Sequence, residues 1–428
     1  MDQSHLETST ASSHVRLDNG PGGAPQATEA HLPSHSTRKY AFIDALRGYA
    51  VLFVITCHTG RMFPELPYPV KKLTNFGWHG VQLFFLVSCV TLLMSWRSEE
   101  RKGNVSAGAF WVRRFFRIAP MYYAAAFFYF IAEPPSAGFN LWQLTTTMTF
   151  INAWHPLWIP TVPDRWMVVP GGWSIGVEFT FYFFFPIIAT LIRTMRSAVL
   201  LFGFSVFLGF ICNFFAYQGL NQAYGTIATA NFLYFWFPHQ VPVFALGTIL
   251  YLTVAHLWKN PASPVTTHAI RWSYPIIGTS LIAMIFLANL DLLGRLWADA
   301  ASMFPTLIVI SFIFMVLVVV LAVDRTNVLV NRPICALGEV SFSAYILHFF
   351  VLHKLPVFLP MVFDQGATGW DAILTCLGLW VVAVPLTFAL SITTFRLIES
   401  PMIMLGRNLV GRRTRENRVK QAAPSLLI

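Results

Sequence analysis

The stretch IDALRGYAVLFVITCH, residues 43–58, is apolar enough to enter a membrane, yet it holds Asp44, Arg47 and His58. Arg47 and His58 are eleven residues apart. At 3.6 residues per turn they share a helix face to within roughly 20° and stand ~16 Å apart along the axis. A charge in hydrocarbon is costly and faces a bundle interior or a wet cavity. The segment therefore reads as a membrane-spanning helix with one polar stripe. Arg47 has two readings. It can pair with Asp44 at i, i+3 near the helix end, where snorkelling is cheap. Alternatively it is a cationic anchor on the inner side of a channel in which the His58 imidazole acts as general base.

Working outward, 56% of the 428 residues are hydrophobic and only 11% are charged. A soluble domain carries about 25% charged residues, so the chain reads as an all-α polytopic membrane protein. Ten apolar stretches approach the ~20 residues that cross a bilayer: 42–60, 76–96, 117–133, 173–193, 198–217, 232–256, 273–290, 303–323, 339–355 and 371–395. About ten transmembrane helices are expected. Of the 29 Lys and Arg residues, 22 fall in the two tails and alternate loops. The opposite loops hold six: Arg61, Lys71, Lys72, Arg165, Arg295 and Lys354. That bias puts both termini in the cytoplasm. It also makes the lipid bilayer, and not nucleic acid, the partner that the net charge of +10 addresses.

Residues 1–39 are polar, rich in Ser, His, Gly and Pro, and lack the apolar core of a signal peptide. They read as a disordered tail. The membrane domain is expected over 40–405, and 406–428 reads as a basic cytoplasmic tail. The five cysteines form no C-x-x-C pair, so neither disulfides nor a metal site is expected. The loop 134–172 holds Asn152, His155 and Asp164 among Pro, Trp and Thr. It is either part of an acceptor site or a surface loop with interfacial Trp anchors.

Four further segments carry polar groups among apolar ones. In FWVRRFFRIAP, 110–120, Arg113, Arg114 and Arg117 lie just before an apolar run. They are an interfacial anchor or a clasp for phosphates such as those of an acyl-CoA. In GGWSIGVEFTFYFFFP, 171–186, Glu178 lies inside an apolar run with Trp173 and Ser174 at its mouth. It makes a structural pair, orients a catalytic histidine, or holds a sugar hydroxyl. In LGEVSFSAYILHFFVLH, 337–353, Ser341, Tyr345 and His348 form a polar stripe flanked by Glu339 and His353. Ser341 and Ser343 read as packing hydroxyls. In FRLIESPMIMLGR, 395–407, Arg396 and Glu399 read as a structural cap, with Pro401 stopping the helix.

Taken together, these segments resemble the membrane acyltransferase-3 family. Arg47 and His58 fit its Arg, ten residues, His spacing. GVQLFFLVSC (80–89) resembles its second-helix segment. Arg114 and Arg117 fit its R-x-x-R element, and Trp173, Ser174 and Glu178 its W-S-x-x-x-E segment. LGEVSFSAYILH resembles its last element. The likeness covers 40–405 in order. Gln82 and Cys89 depart from the family's usual Asp and Gly, so Gln82 is given no catalytic role. Some members carry a C-terminal hydrolase-like domain. With no segment of that size here, transfer is expected to finish in the membrane domain or on a separate protein.

The resemblance implies an acyl-CoA donor, most simply acetyl-CoA, and no metal. The acceptor would be a hydroxyl of a carbohydrate or glycolipid on the outer side. His58, Arg47 and Glu178 would be catalytic, and Arg114, Arg117 and Arg113 would hold CoA. Trp173, Ser174, Tyr345 and His348 would meet the acceptor. His58 would either deprotonate the acceptor or carry the acyl group transiently. Either a bacterial inner (plasma) membrane or a eukaryotic one would satisfy this multi-pass topology, and the bacterial one is expected because no long soluble domain is present. The competing expectation is a transporter or flippase of a lipid-linked saccharide. It predicts inverted repeats with paired broken helices, and none is apparent.

Overall fold

The computed structural model describes residues 40–135, 138–158, 166–289, 303–324 and 326–422. The tail 1–39 and Asp164, Arg165, Arg295 and Arg325 lie outside the described residues. Among the described residues all regular structure is helical. The first half comprises α1 (Ala41–Arg61), α2 (Tyr68–Phe76), α3 (Gly80–Arg101), α4 (Ala107–Ala132), α5 (Leu141–Met148), α6 (Gly172–Leu191), α7 (Met195–Tyr224) and α8 (Thr226–Phe235). The second comprises α9 (Phe237–Lys259), α10 (Pro264–Arg271), α11 (Ser273–Asn289), α12 (Met303–Val323), α13 (Arg332–Glu339), α14 (Ser341–Phe358), α15 (Gly369–Thr394) and α16 (Ser400–Ala422).

Among the described residues nine helices are long and apolar enough to cross a membrane, and the α10–α11 pair, bent by 66°, makes a tenth if it counts as one span. Each apolar stretch marked in the sequence is mostly helical over its described residues, with 232–256 divided between α8 and α9 at Trp236 and 339–355 between α13 and α14 at Val340, and two further readings differ. Helix α4 starts at Ala107, not near 117, because Ser106 caps it by accepting the amide of Ala109 at 3.3 Å. The three arginines lower the local hydropathy without interrupting the backbone ladder, so they lie inside the helix. Pro401 does not stop the last span. A π-helical turn over Phe395–Glu399 joins α15 to α16, and the wider turn accommodates a residue that lacks an amide donor.

Helix α1 runs through the interior. Ala45, Ala50, Val51 and Ile55 are fully buried. The helix packs against α2, α3, α13, α14 and α15. Its contact with α13 is backbone to backbone. A side chain at Gly48 would run into the carbonyl of Ile334, and one at Gly338 into the carbonyl of Asp44. Small residues permit such an approach where lipid supplies no hydrophobic drive. Outward-facing Phe204, Phe207 and Phe215 on α7 are exposed, as a lipid-facing surface requires.

Gly338→Leu is expected to destabilise the protein by about 2 kcal/mol or more through overpacking. The thermal midpoint of detergent-solubilised protein reads this directly. Gly203→Leu, where an added Cβ meets open space, should unfold close to the wild-type temperature.

Candidate active site

One cavity of about 80 Å³ collects polar groups from α1, α3, α4, α6 and α14: Arg47, Ser88, Arg114, Arg117, Ser174, Glu178, Tyr182, Ser341 and Tyr345. Local spacing explains the choice. Arg114 and Arg117 are one turn apart, and Ser174, Glu178 and Tyr182 recur every four residues, so each set shares one helix face. Arg113 is rotated ~100° from Arg114 and lies by Glu99 instead.

Glu178 is the centre of this cavity. Its Oε1 accepts hydrogen bonds from Ser88 Oγ and Tyr182 OH, each at 2.5 Å. Arg47 and Arg114 lie within its electrostatic reach. Arg47 donates to Thr91 Oγ1 at 3.3 Å and stands 4.0 Å from Asp44, so the pairing with Asp44 is loose and the side chain also serves the cavity. The Arg114 guanidinium sits 5.7 Å from the Phe110 ring centre and 6.0 Å from that of Tyr182, and its Nε has no partner among the described residues. Three guanidiniums against one carboxylate in the lining suit an anionic occupant.

From this cavity a polar line leads to the histidines. Ser174 Oγ lies 2.9 Å from Tyr345 OH, and that hydroxyl donates to the Gly171 carbonyl at 3.1 Å. One turn further along α14, His348 is fully buried. Its Nδ1 is 3.2 Å from the Ala344 carbonyl, which accepts Nδ1–H. That assigns the lone pair to Nε2, and Nε2 has no partner among the described residues. The His58 ring lies 5.3 Å from that of His348 and 4.4 Å from Phe349, centre to centre. His58 is half-buried. Trp173 packs on Phe235 at 4.6 Å, beside this line.

The sequence-derived residues thus form two adjoining groups. Arg47, Arg114, Arg117, Glu178, Ser174 and Tyr345 share the cavity, and His58 and His348 stand together beyond it. Among the described residues the ring contacts of His58 are with His348 and Phe349, not with Glu178. Three turns of α1 separate His58 from Arg47, so one carboxylate does not serve both.

Sequence reasoning missed Ser88, Thr91 and Tyr182. Only Tyr182, at i+4 from Glu178, had a signal within its own helix. Glu399 is not held by a cap interaction alone: it is buried and accepts a hydrogen bond from Ser343 Oγ. Burial, and then the neighbouring Asp44, push the Glu339 carboxyl up at the end of α13. His353 pairs with Glu133 at 3.2 Å at the surface. His155 is half-buried and accepts the Leu157 amide at 3.1 Å. Gln82 donates to Tyr234 OH at 2.9 Å and Gln240 at 3.2 Å, which is polar packing between helices. Among the described residues no group of three or more His, Cys, Asp or Glu is arranged to hold a metal ion.

Comparison with known proteins agrees with this arrangement. A family model described as an acyltransferase domain matches residues 40–396. The chain is 25% identical over 333 residues to acyltransferase MdmB of Streptomyces mycarofaciens, covering 73% of this chain and 80% of that protein. It is 23% identical over 380 residues to a protein of Staphylococcus aureus strain COL named "Putative O-acetyltransferase", covering 84% of this chain and 56% of that protein. A protein of the same printed function from strain MSSA476 matches equally, so the chain spans about half the length of the staphylococcal relatives. No solved structure matches. With the model covering most of its length and a bundle of apolar helices around the polar cavity, this chain belongs to the acyltransferase-3 family of membrane acyltransferases.

Proposed function

We propose that this protein is an O-acyltransferase that moves an acyl group, acetyl in the simplest case, from cytoplasmic acyl-CoA to a hydroxyl of a carbohydrate or glycoconjugate at the outer side of a bacterial plasma membrane. The observation that carries this reading is the paired arrangement of an arginine-lined cavity and a histidine pair, joined through Ser174 and Tyr345. One end suits a phosphate-bearing donor and the other suits proton transfer.

Arg114 and Arg117 would grip donor phosphates through charge-assisted hydrogen bonds, with Arg47 beside them. At about 80 Å³ the cavity takes a phosphate- or acetyl-sized group, so most of a CoA molecule would lie outside it. Glu178, held by two hydroxyls, would keep the guanidiniums in place and limit their mutual repulsion. The thioester would reach past Ser174 and Tyr345 to His58.

In the direct route, a His58 nitrogen accepts the acceptor's hydroxyl proton as the acceptor oxygen bonds to the thioester carbonyl carbon. Collapse of the tetrahedral intermediate breaks the C–S bond. The departing thiolate takes the proton back from the imidazolium and leaves as free CoA. His348 Nε2, fixed as an acceptor by the Nδ1–Ala344 contact, would take a hydrogen bond from the other His58 nitrogen and orient the ring. The alternative, a transient acyl-histidine, predicts a kinetically competent labelled His58 in donor-only samples. Mass spectrometry should find none.

The test is thiol release from acetyl-CoA in membrane vesicles supplied with mixed cell-surface glycan. Release should require the glycan, and His58→Ala at matched membrane levels should lower it by about 100-fold or more. Equal rates would remove His58 from the mechanism. Arg114→Lys and Arg117→Lys lose bidentate geometry but keep charge. Each should raise the KM for acetyl-CoA by about tenfold, the loss of one charge-assisted bond, with kcat changed little. An unchanged KM in both would refute the donor-site assignment.

A further inference from the structure

A second, larger cavity of about 480 Å³ opens at the far end of α1 from Arg47. Arg61, Lys71, Lys72, Asn75 and Trp78 form one side of it, and apolar residues of α11 and α12 form part of the other. No carboxylate lines it among the described residues. None of the functional residues discussed above belongs to it.

Three observations point to an occupant. First, the lining holds a buried polar group without a partner. His79 and Thr306 are only 4% and 6% exposed; Thr306 Oγ1 has no hydrogen-bond partner among the described residues, and His79 Nδ1 makes no close hydrogen bond, its ring being approached by the Gln82 side chain. Buried polar atoms are nearly always satisfied, and exceptions at a cavity wall call for a ligand or water.

Second, the positive charge is in an unusual place. In the orientation that the Lys and Arg bias implies, this end of α1 faces outward, where the sequence has only six basic residues. Three of those six line this one cavity. Membrane anchoring accounts for basic residues on the inner side, not for a cluster on the outer one. Some of the charge is used to hold the wall. Arg61 lies over the Trp78 ring at 5.6 Å, Lys72 lies 5.1 Å from the Tyr68 ring centre, and Lys71 donates to the Pro64 carbonyl at 2.8 Å. These contacts hold the cationic side chains at the cavity wall.

Third, the cavity lies next to the histidine pair. Arg61 is one helical turn after His58, a rise of ~4.5 Å. Trp78 stacks on Tyr234 at 5.2 Å, and Tyr234 meets Trp173 at 5.9 Å, so an aromatic row runs from the cavity towards the first site. Aromatic faces are suitable surfaces for a sugar ring's apolar side, and fixed cations with hydroxyl and imidazole groups suit a phosphate.

We propose that this cavity seats the phosphate of an amphiphilic acceptor, a glycosyl phosphate whose apolar chain lies against α11 and α12 and whose sugar lies along the aromatic row towards His58. The word acceptor rests on the acyl-transfer reading above; the phosphate seat does not.

The test is binding to purified protein in neutral detergent without any acyl donor, followed by native mass spectrometry. The probes are geranylgeranyl phosphate, geranylgeraniol and inorganic phosphate. One geranylgeranyl phosphate per chain is expected, with the alcohol and inorganic phosphate each held at least tenfold more weakly. The double variant R61Q/K72Q should lose at least tenfold in affinity for geranylgeranyl phosphate while unfolding at the wild-type temperature, and Thr306→Val should lose severalfold. Wild-type affinity in both variants would overturn the proposal, as would equal binding of the alcohol or of inorganic phosphate. Displacement of the probe by an equal concentration of phosphatidylglycerol would make the cavity a seat for bulk lipid and overturn the acceptor assignment. Failure of His58→Ala to affect CoA release would strike the acyl-transfer reading and leave these binding results standing.

Discussion

A guanidinium cannot be left in hydrocarbon, and Arg47 sits in a mostly apolar helix that runs through the interior of the bundle. The surrounding helices meet that requirement together. Thr91 accepts its hydrogen bond from α3, Asp44 stands one turn away, and Glu178 of α6 lies within electrostatic reach. Once Glu178 is placed inside, its own oxygen needs donors, and Ser88 and Tyr182 supply them. Arg114 and Arg117 come to the same cavity from α4. Each helix stays apolar over most of its length and contributes one, two or three polar groups at one level.

Such a cluster forms only if the helices approach closely and in one register. Gly48 and Gly338 allow α1 and α13 to meet backbone to backbone. That contact fixes the depth of α1, and with it the levels of both Arg47 and His58. The three turns between them separate the arginine-lined cavity from the histidine pair. Ser174 and Tyr345 cross the gap from two other helices, and Tyr345 lies one turn before His348. The π turn at Phe395–Glu399 does related work at the end of the bundle. It carries the last helix past Pro401 and leaves Glu399 buried against Ser343.

Much of this was legible in the sequence, because it depends on residues of one helix. The apolar runs are helices, Arg47 and His58 share a face, and Arg114 and Arg117 point together into the cavity. The sequence was misleading where hydropathy and backbone structure part company. Helix α4 begins before its apolar run because a serine cap starts it, and Pro401 is absorbed rather than obeyed. Arg113 looked like a third member of the arginine clasp, but one residue along a helix is a different face. Glu178 was plausible as a partner for His58 until the bundle placed it among arginines and hydroxyls.

The sequence by itself determined that the chain is a bundle of apolar helices, which of them carry charge, and at what spacing. Those properties follow from helical periodicity and from the cost of burying charge, and both act within a single segment. Only the tertiary structure decided which polar residues share a cavity, that His348 stands against His58, and that Arg61, Lys71 and Lys72 line a second cavity with His79 and an unsatisfied Thr306 in its wall. Neighbours on different helices are set by the rotation, depth and crossing of whole helices packed against one another, and no periodicity within one helix encodes those quantities.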